Sequence, residues 1–213
     1  MRFTLKLLET DSQFRKMALE QLSAKLEKGI QASIPVIKSA TQEMIKMAIL
    51  SEPEYASLTS SRGILRVEFG IENPSLVDLA IDNIVNTVNI KMTKLKIGNL
   101  GISGGFVLTA IPKDELQMIS KSFSQFTEKG VSLEWLRWLL YEGASPIVRG
   151  YSIRIGENRH SRTGGALMVE SKKSWRVPSS YIGTAKNNWI TRSINKIEDQ
   201  LTNFIKTTIE SRV

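Results

Sequence analysis

The sequence contains no cysteine. This absence excludes disulfides, thiolate zinc sites and a cysteine nucleophile, and it fits a protein made in a reducing cytosol. No apolar run approaches the roughly 18 consecutive residues that a transmembrane helix needs, because charged or polar residues interrupt every run. The first nine residues also lack the apolar stretch and cleavage site of a signal peptide. We therefore expect a soluble protein with no membrane partner.

Groups that could support catalysis are equally scarce. His160 is the single histidine, and without a second histidine or a cysteine it cannot build a usual zinc site. No Gly-x-Ser-x-Gly elbow is present, and the glycine pairs that begin at Gly104 and Gly164 belong to no nucleotide-binding pattern. The acidic pairs Asp114-Glu115 and Glu198-Asp199 lie in polar helical context, where solvation is ordinary. We predict a protein that is not an enzyme and that uses no cofactor or metal.

Positive charge is plentiful and is concentrated in one part of the chain. The formal net charge is +8, and residues 149–192 hold nine Lys or Arg against two Glu, a surplus of seven. Such a surplus attracts a polyanionic neighbour, either nucleic acid or an acidic protein surface. A solvated basic face is the alternative and needs no partner. The candidate interface residues are the cations of the predicted loops in this region: Arg159, Arg162, Lys172, Lys173, Arg176 and Arg192.

The first half of the chain shows mostly helical periodicity. A strand is predicted over residues 1–9, followed by an amphipathic helix capped by Asp11 or Ser12. Gly29 is expected to interrupt this helix, and a second helix is expected to begin at residues 33–35. The segment 55–70 suits a short helix or an edge strand, of which we favour the helix. A further helix follows Asn73 and Pro74, with its apolar face running from Leu76 to Val88.

The second half mixes strands and helices. Period-two alternation predicts a hairpin from residues 90–97 and 106–111, with a glycine-rich turn between them. A helical connection follows Pro112, and a capped helix is predicted over 132–143, with Trp135, Trp138 and Leu139 in the core. Short strands are predicted at 151–155, 166–170 and 174–177, in one sheet with the hairpin. Thr184 is expected to cap a long final helix.

These elements predict an α+β fold. A mixed, mostly antiparallel sheet is flanked by N-terminal helices and by the long C-terminal helix. The absence of repeats and low-complexity linkers favours a single compact domain over residues 1–213. The polar stretch near 120–130 is the candidate boundary between subregions.

Several short sequence segments, which we call phrases, carry information beyond composition. Residues 161–168 (SRTGGALM) precede 175–184 (WRVPSSYIGT) and 187–194 (NNWITRSI), and upstream phrases stand at 51–58, 65–70 and 135–143. In order and content these phrases resemble the tail-completion and neck proteins of tailed bacteriophages. In that group an Arg-Ser/Thr-Gly turn, a strand ending in Val-Pro and an aromatic-containing helix follow one another. The similarity covers about half of the chain.

The resemblance implies a structural virion protein in the neck or tail, assembled in the host cytoplasm. It implies a homo-oligomeric ring that joins the portal-connector to the tail, with portal-side partners on one face and tail-terminator or tube-side partners on the other. The basic loops then meet acidic connector surfaces or exiting DNA. In this function no covalent bond is made or broken.

Two other functions are considered. A basic nucleic-acid-binding module is suggested by the cations interleaved with Tyr151, Trp175, Tyr181 and Trp189, although no recognised nucleic-acid-binding motif accompanies them. Packing in the core is the favoured role for Trp175 and Trp189, because large aromatic residues at element junctions are usually buried. An enzyme that uses isolated carboxylates is the second alternative.

Overall fold

The computed structural model describes residues 10–98, 101–126, 132–161 and 163–212. The predicted strand over residues 1–9 and the candidate residue Arg162 lie outside this range. The helices, in chain order, are α1 (Asp11–Leu50), α2 (Pro53–Thr59), α3 (Ile64–Phe69), α4 (Ser75–Asn86), α5 (Lys113–Ser122), α6 (Trp135–Arg137) and α7 (Trp189–Glu210). A π-helical turn (Trp138–Glu142) continues α6, and a 3₁₀ turn spans Ser179–Tyr181.

The strands form three antiparallel pairs. β1 (Asn89–Gly98) pairs with β2 (Gly101–Thr109), β3 (Gln125–Phe126) with β4 (Ser132–Leu133), and β5 (Val148–Ile155) with β6 (Ala166–Trp175). The α+β prediction is confirmed, and so are the first hairpin and the helical character of segment 55–70. The prediction of one shared sheet is wrong for the described residues. Each strand pairs with its neighbour in sequence, and the two strands expected at 166–170 and 174–177 are one strand, β6.

Helix α1 runs through both Gly29 and Pro35, so the predicted interruption is wrong. Buried positions continue at helical spacing across both residues, as Ile30, Ser33, Ile37 and Thr41 show. Proline removes one backbone donor and crowds the preceding turn. In the part of the helix just before Pro35, the Ser33 hydroxyl donates to the Gly29 carbonyl over 2.7 Å. Burial of a continuous face therefore outweighs the two local helix breakers.

The caps of the long helices differ from the predicted ones. At the start of α1, Gln13 N donates to Thr10 Oγ1 over 3.4 Å and Thr10 N donates to Gln13 Oε1 over 2.9 Å. At the start of α7, Thr191 N donates to Asn188 Oδ1 over 3.0 Å and Asn188 N donates to Thr191 Oγ1 over 2.9 Å. Both are reciprocal capping boxes. Thr10 and Asn188 therefore cap these helices, in place of Asp11 or Ser12 and of Thr184.

The predicted helix over 132–143 is replaced by β4, α6 and the π-helical turn. Arg137 spans the turn, since its guanidinium contacts Glu134 at 3.0 Å and Glu142 at 2.9 Å. Gly143, at φ 58°, ends the turn in a conformation that favours glycine. Trp135 and Leu139 are buried as predicted, whereas Trp138 is only partly buried.

The described chain groups into two compact units. The first contains residues up to Ser39, Asn89–Thr109 and residues from Thr202 onward, and the second contains Ala40–Val88 and Ala110–Leu201. Whether the two units fold as one domain stays a prediction. In the described ranges, no helix combines the length and the apolar character that membrane crossing requires.

The second unit contains most of the fully buried side chains, which come from the end of α1, from α2 to α4 with the loop after α3, from α6 and the π-helical turn, and from the start of α7. Its largest ones are Trp135, Trp189, Phe69, Ile45, Ile49, Leu58, Leu65, Ile71, Ile81, Ile84 and Leu136. Arg66 ties the α2–α3 region together, because its guanidinium donates to the carbonyls of Thr59 (3.1 Å), Ile71 (3.0 Å) and Glu72 (2.9 Å). This packed unit carries the β5–β6 hairpin.

Candidate functional site

The β5–β6 hairpin, with the turn between its strands, carries most of the basic surplus found in the sequence. Its register pairs Tyr151 with Glu170, Ser152 with Val169 and Arg154 with Leu167. Arg149 and Arg154 lie on β5, Arg159 lies in the turn, and Lys172 and Lys173 lie on β6. We call these five residues the basic hairpin cluster. The fold thus places three of the six candidate residues, Arg159, Lys172 and Lys173, on one hairpin.

Every member of the basic hairpin cluster is exposed. Within the described residues, none of the five side chains forms an ion pair or a hydrogen bond. The two acidic residues of the hairpin, Glu157 and Glu170, are exposed as well. The charges of the cluster are therefore available to a partner. Because these side chains are in contact with solvent, the unbound protein carries little desolvation penalty for them.

Lys172 and Lys173 owe their position to an irregularity in the ladder. The register shifts between Arg149, which pairs with Ser174, and Tyr151, which pairs with Glu170, so three β6 residues lie opposite Gly150. Gly150 adopts φ 78°, and the Lys173 amide donates to Ser171 Oγ over 2.9 Å. Bulges of this kind bend a strand and redirect its side chains. Both lysines are exposed as a result.

The base of the hairpin is held by α3. Trp175, at the end of β6, is buried and packs on Phe69 with ring centroids 5.8 Å apart and planes tilted by 58°. The Trp175 indole donates to Glu68 Oε2 over 3.3 Å. At the other end of β6, a Cβ on Gly165 would lie 3.1 Å from Val67 Cγ2. The cluster therefore lies on a firmly packed support, and Trp175 has the core role expected of it.

The contact with Trp175 predicts a pH effect. Burial raises the pKa of Glu68, and the indole donor opposes this by lowering it. Because the folded-state pKa is the higher one, the carboxyl contributes stability below the pKa of the unfolded chain and loses that contribution as pH rises through the folded pKa. We expect Glu68→Gln, which keeps an oxygen acceptor, to melt above wild type at pH 7. The gain should disappear below about pH 4, and thermal melts across pH measure it. A gain in melting temperature that persisted below about pH 4 would contradict the raised pKa of Glu68.

Two further candidate residues, Arg176 and Arg192, have intramolecular partners. The Arg176 guanidinium is exposed and donates to the Ala144 carbonyl over 2.6 Å. Arg192, on α7, donates to the buried carboxylate of Glu54, and its Nε lies 4.0 Å from Glu52 Oε2. Arg192 is therefore part of an internal ion cluster and does not lie on the hairpin.

Two residues of the cluster, Arg149 and Arg154, were counted in the surplus but were not singled out as candidates. For Arg154 the sequence signal is its polar position in the alternating pattern of the strand predicted over 151–155, whereas Arg149 lies just before that segment. His160 lies in the turn and is exposed, with its amide donating to Asn158 Oδ1 over 2.9 Å. Over the described ranges, no group of three or more His, Asp or Glu residues is arranged to hold a metal.

Comparison of the chain with protein-family models, with curated proteins and with solved structures finds no match. The chemistry of the surface is therefore the main guide to function. Five exposed cations on a rigid hairpin can attract and orient a polyanionic partner.

Proposed function

We propose that this chain is a structural virion protein of a tailed bacteriophage, a tail-completion or neck component that joins the portal-connector to the tail. In this role it works as a homo-oligomeric ring through protein-protein contacts. The observation that supports the proposal is the basic hairpin cluster, which is exposed, firmly supported and without an ion pair to any residue that the structure describes. The sequence phrases around it supply the resemblance to neck proteins.

The composition of the cluster favours an acidic protein surface as its partner. Three of its five cations are arginines, and Tyr151 lies on β5 together with Arg149 and Arg154. Arginine binds carboxylates through two parallel hydrogen bonds, and arginine and tyrosine are enriched in protein interfaces. A ring also tolerates modest pairwise contacts, because each subunit gains two neighbours.

The proposal predicts that charge reversal of the cluster blocks assembly. The double variant Arg154→Glu, Lys172→Glu should bind its connector partner about tenfold more weakly or worse, because repulsion replaces two attractive contacts. Complementation of a phage that lacks the gene should then yield separate heads and tails, counted by electron microscopy. Lys186→Glu with Lys206→Glu is the matched control, since both lysines are exposed and lie outside the hairpin.

Normal titres from the charge-reversed variant, or absence of the chain from purified particles, would contradict the proposal. The alternative of a cellular nucleic-acid-binding module predicts a different result. In that case the purified monomer binds nucleic acid through the basic hairpin cluster, and the affinity falls steeply with salt. Native mass spectrometry with and without nucleic acid distinguishes a ring from such a monomer.

A further inference from the structure

The β1–β2 hairpin of the first unit has a charge composition unlike that of β5–β6. Lys91, Lys94 and Lys96 lie on β1, and the segment 89–109 contains no acidic residue. It also contains no arginine, tyrosine or tryptophan, and Phe106 is its one aromatic residue. All of its positive charge therefore comes from lysine.

A bulge places two of these lysines on the same face. Thr93 pairs with Gly105 and Lys96 with Ser103, so Lys94 and Leu95 together lie opposite Gly104. Because the extra residue reverses the alternation, Lys96 returns to the face that holds Lys91 and its partner Val107. The opposite face becomes wholly apolar in its cross-strand pairs, which join Ile90 to Leu108, Met92 to Phe106 and Ile97 to Ile102.

Gly104 makes this bulge possible. It adopts φ 118°, and a Cβ at this position would lie 2.6 Å from the Lys94 carbonyl oxygen. A side chain at residue 104 would therefore collide with the bulged backbone. The local sequence thus maintains the face that holds Lys91 and Lys96, with Lys94 in the adjoining bulge, at the expense of regular strand pairing. We call this surface of three lysines the lysine face.

The lysines on this hairpin are available for contact. Lys91, Lys94 and Lys96 are exposed, and their side chains form no ion pair or hydrogen bond in the part of the chain that the structure describes. Among the described residues, a cleft at the end of β1 is lined partly by Ile97 and Gly98, with Lys16 and Glu20 of α1 beside them.

We infer that the lysine face of β1–β2 binds the phosphate backbone of double-stranded DNA without sequence preference. A two-stranded β-ribbon fits the major groove of B-form DNA, whereas the corresponding groove of A-form RNA is too narrow. Protein interfaces are depleted in lysine and enriched in arginine and aromatic residues, which the lysine face lacks. Single-strand binding needs aromatic platforms, and Phe106 lies on the opposite face.

This inference does not depend on the phage assignment, because it concerns a different hairpin and a different partner. It assigns DNA to the lysine-bearing hairpin and an acidic protein to the arginine-bearing one. Variants of the two hairpins should therefore separate DNA affinity from partner-protein affinity.

The test is a salt titration of the full chain against a short duplex of mixed sequence, followed by fluorescence anisotropy. The variant Lys91→Gln, Lys94→Gln, Lys96→Gln should bind at least about tenfold more weakly at low salt. Its slope of log affinity against log salt should shrink by about 0.9 for each lysine that contacts a phosphate. The charge-preserving variant Lys91→Arg, Lys94→Arg, Lys96→Arg should keep both the affinity and the slope.

The matched control is Lys25→Gln, Lys28→Gln, Lys38→Gln, which has the same net charge and alters exposed lysines on α1 of the same unit. An equal loss of affinity in this control would overturn the inference, because it would show an effect of total charge alone. The inference would also be overturned if polyglutamate competed for binding as effectively as duplex DNA does, since that result indicates an acidic protein partner. Tighter binding to single strands than to duplex would also overturn it.

Discussion

Gly183→Ala is expected to destabilise the protein by about 3–5 kcal/mol, at the upper end of single-residue effects. A Cβ at this buried position would lie 1.8 Å from the Leu139 carbonyl oxygen and 2.9 Å from Asn188 Cβ. The first of these atoms belongs to the backbone of the π-helical turn, and the second belongs to the residue that caps α7. Neither can move without disturbing a buried element, so no side-chain rotation relieves the collision.

For a chain of this size the loss corresponds to a fall in melting temperature of roughly 10 °C, measured by calorimetry. Gly98→Ala is the control, because its Cβ would meet only the Gly101 carbonyl oxygen at 3.8 Å and its backbone is not left-handed. We expect this control to melt within about 2 °C of wild type, as surface changes usually do. A Gly183→Ala protein that melts with the control would show that residue 183 does not pack against the turn.

Arg192→Met is expected to cost about 3–5 kcal/mol, because it leaves the buried carboxylate of Glu54 without its partner. The Glu54 side chain is 1% exposed and the Glu52 side chain 2%. Arg192 donates to Glu54, and Lys196 donates to Glu52. The four side chains join the start of α2 to α7 within the second unit. Urea denaturation at pH 7 measures the loss.

The double variant Glu54→Gln, Arg192→Met should recover part of this stability, since the buried charge is removed together with its partner. Lys46→Met is the control, because Lys46 and Asp82 form a partly exposed pair at 2.6 Å that should contribute less than about 1 kcal/mol. A cost for Arg192→Met no larger than that of the control would contradict a structural role for the cluster. It would return Arg192 to the set of residues available to a partner.

The internal cluster also changes how the charge surplus is understood. Arg192 and Lys196 bind carboxylates of their own chain, so a count of cations along the sequence includes charges that no partner can use. The cations of β5–β6 and β1–β2 have no such partners among the described residues. The charge that attracts a partner is therefore set by pairing within the fold and not by the total.

Local patterns predicted elements well where a single period continued between clear start and stop signals. Helix α4 after Pro74, the β1–β2 hairpin and the long C-terminal helix all appear near their predicted positions. Pattern reasoning failed where a distant contact opposed a local preference. Helix α1 continues through Gly29 and Pro35 because its buried face extends on both sides of them. Residues 138–142 adopt a π-helical turn, in which the Leu139 carbonyl lies against Gly183.

The candidate site was predicted in the same partial way. Composition located the basic region, because charge is a property of the side chains alone. It could not separate Lys172 on a bulged strand from Arg192 in a buried ion cluster, since the two differ only in what lies across from them. The lysine face of β1–β2 was missed because the bulge at Lys94 conceals the alternation.

The amino-acid sequence alone determined the α+β class, the order of most helices and strands, the scarcity of catalytic groups and the excess of positive charge. These follow from residue types and from spacings of two or about 3.6 residues, which act over short distances along the chain. Only the tertiary structure decided which strands pair, which helix breakers are overridden and which cations remain unpaired. Those outcomes depend on residues far apart in sequence, such as Glu54 and Arg192, that become neighbours only when the chain folds.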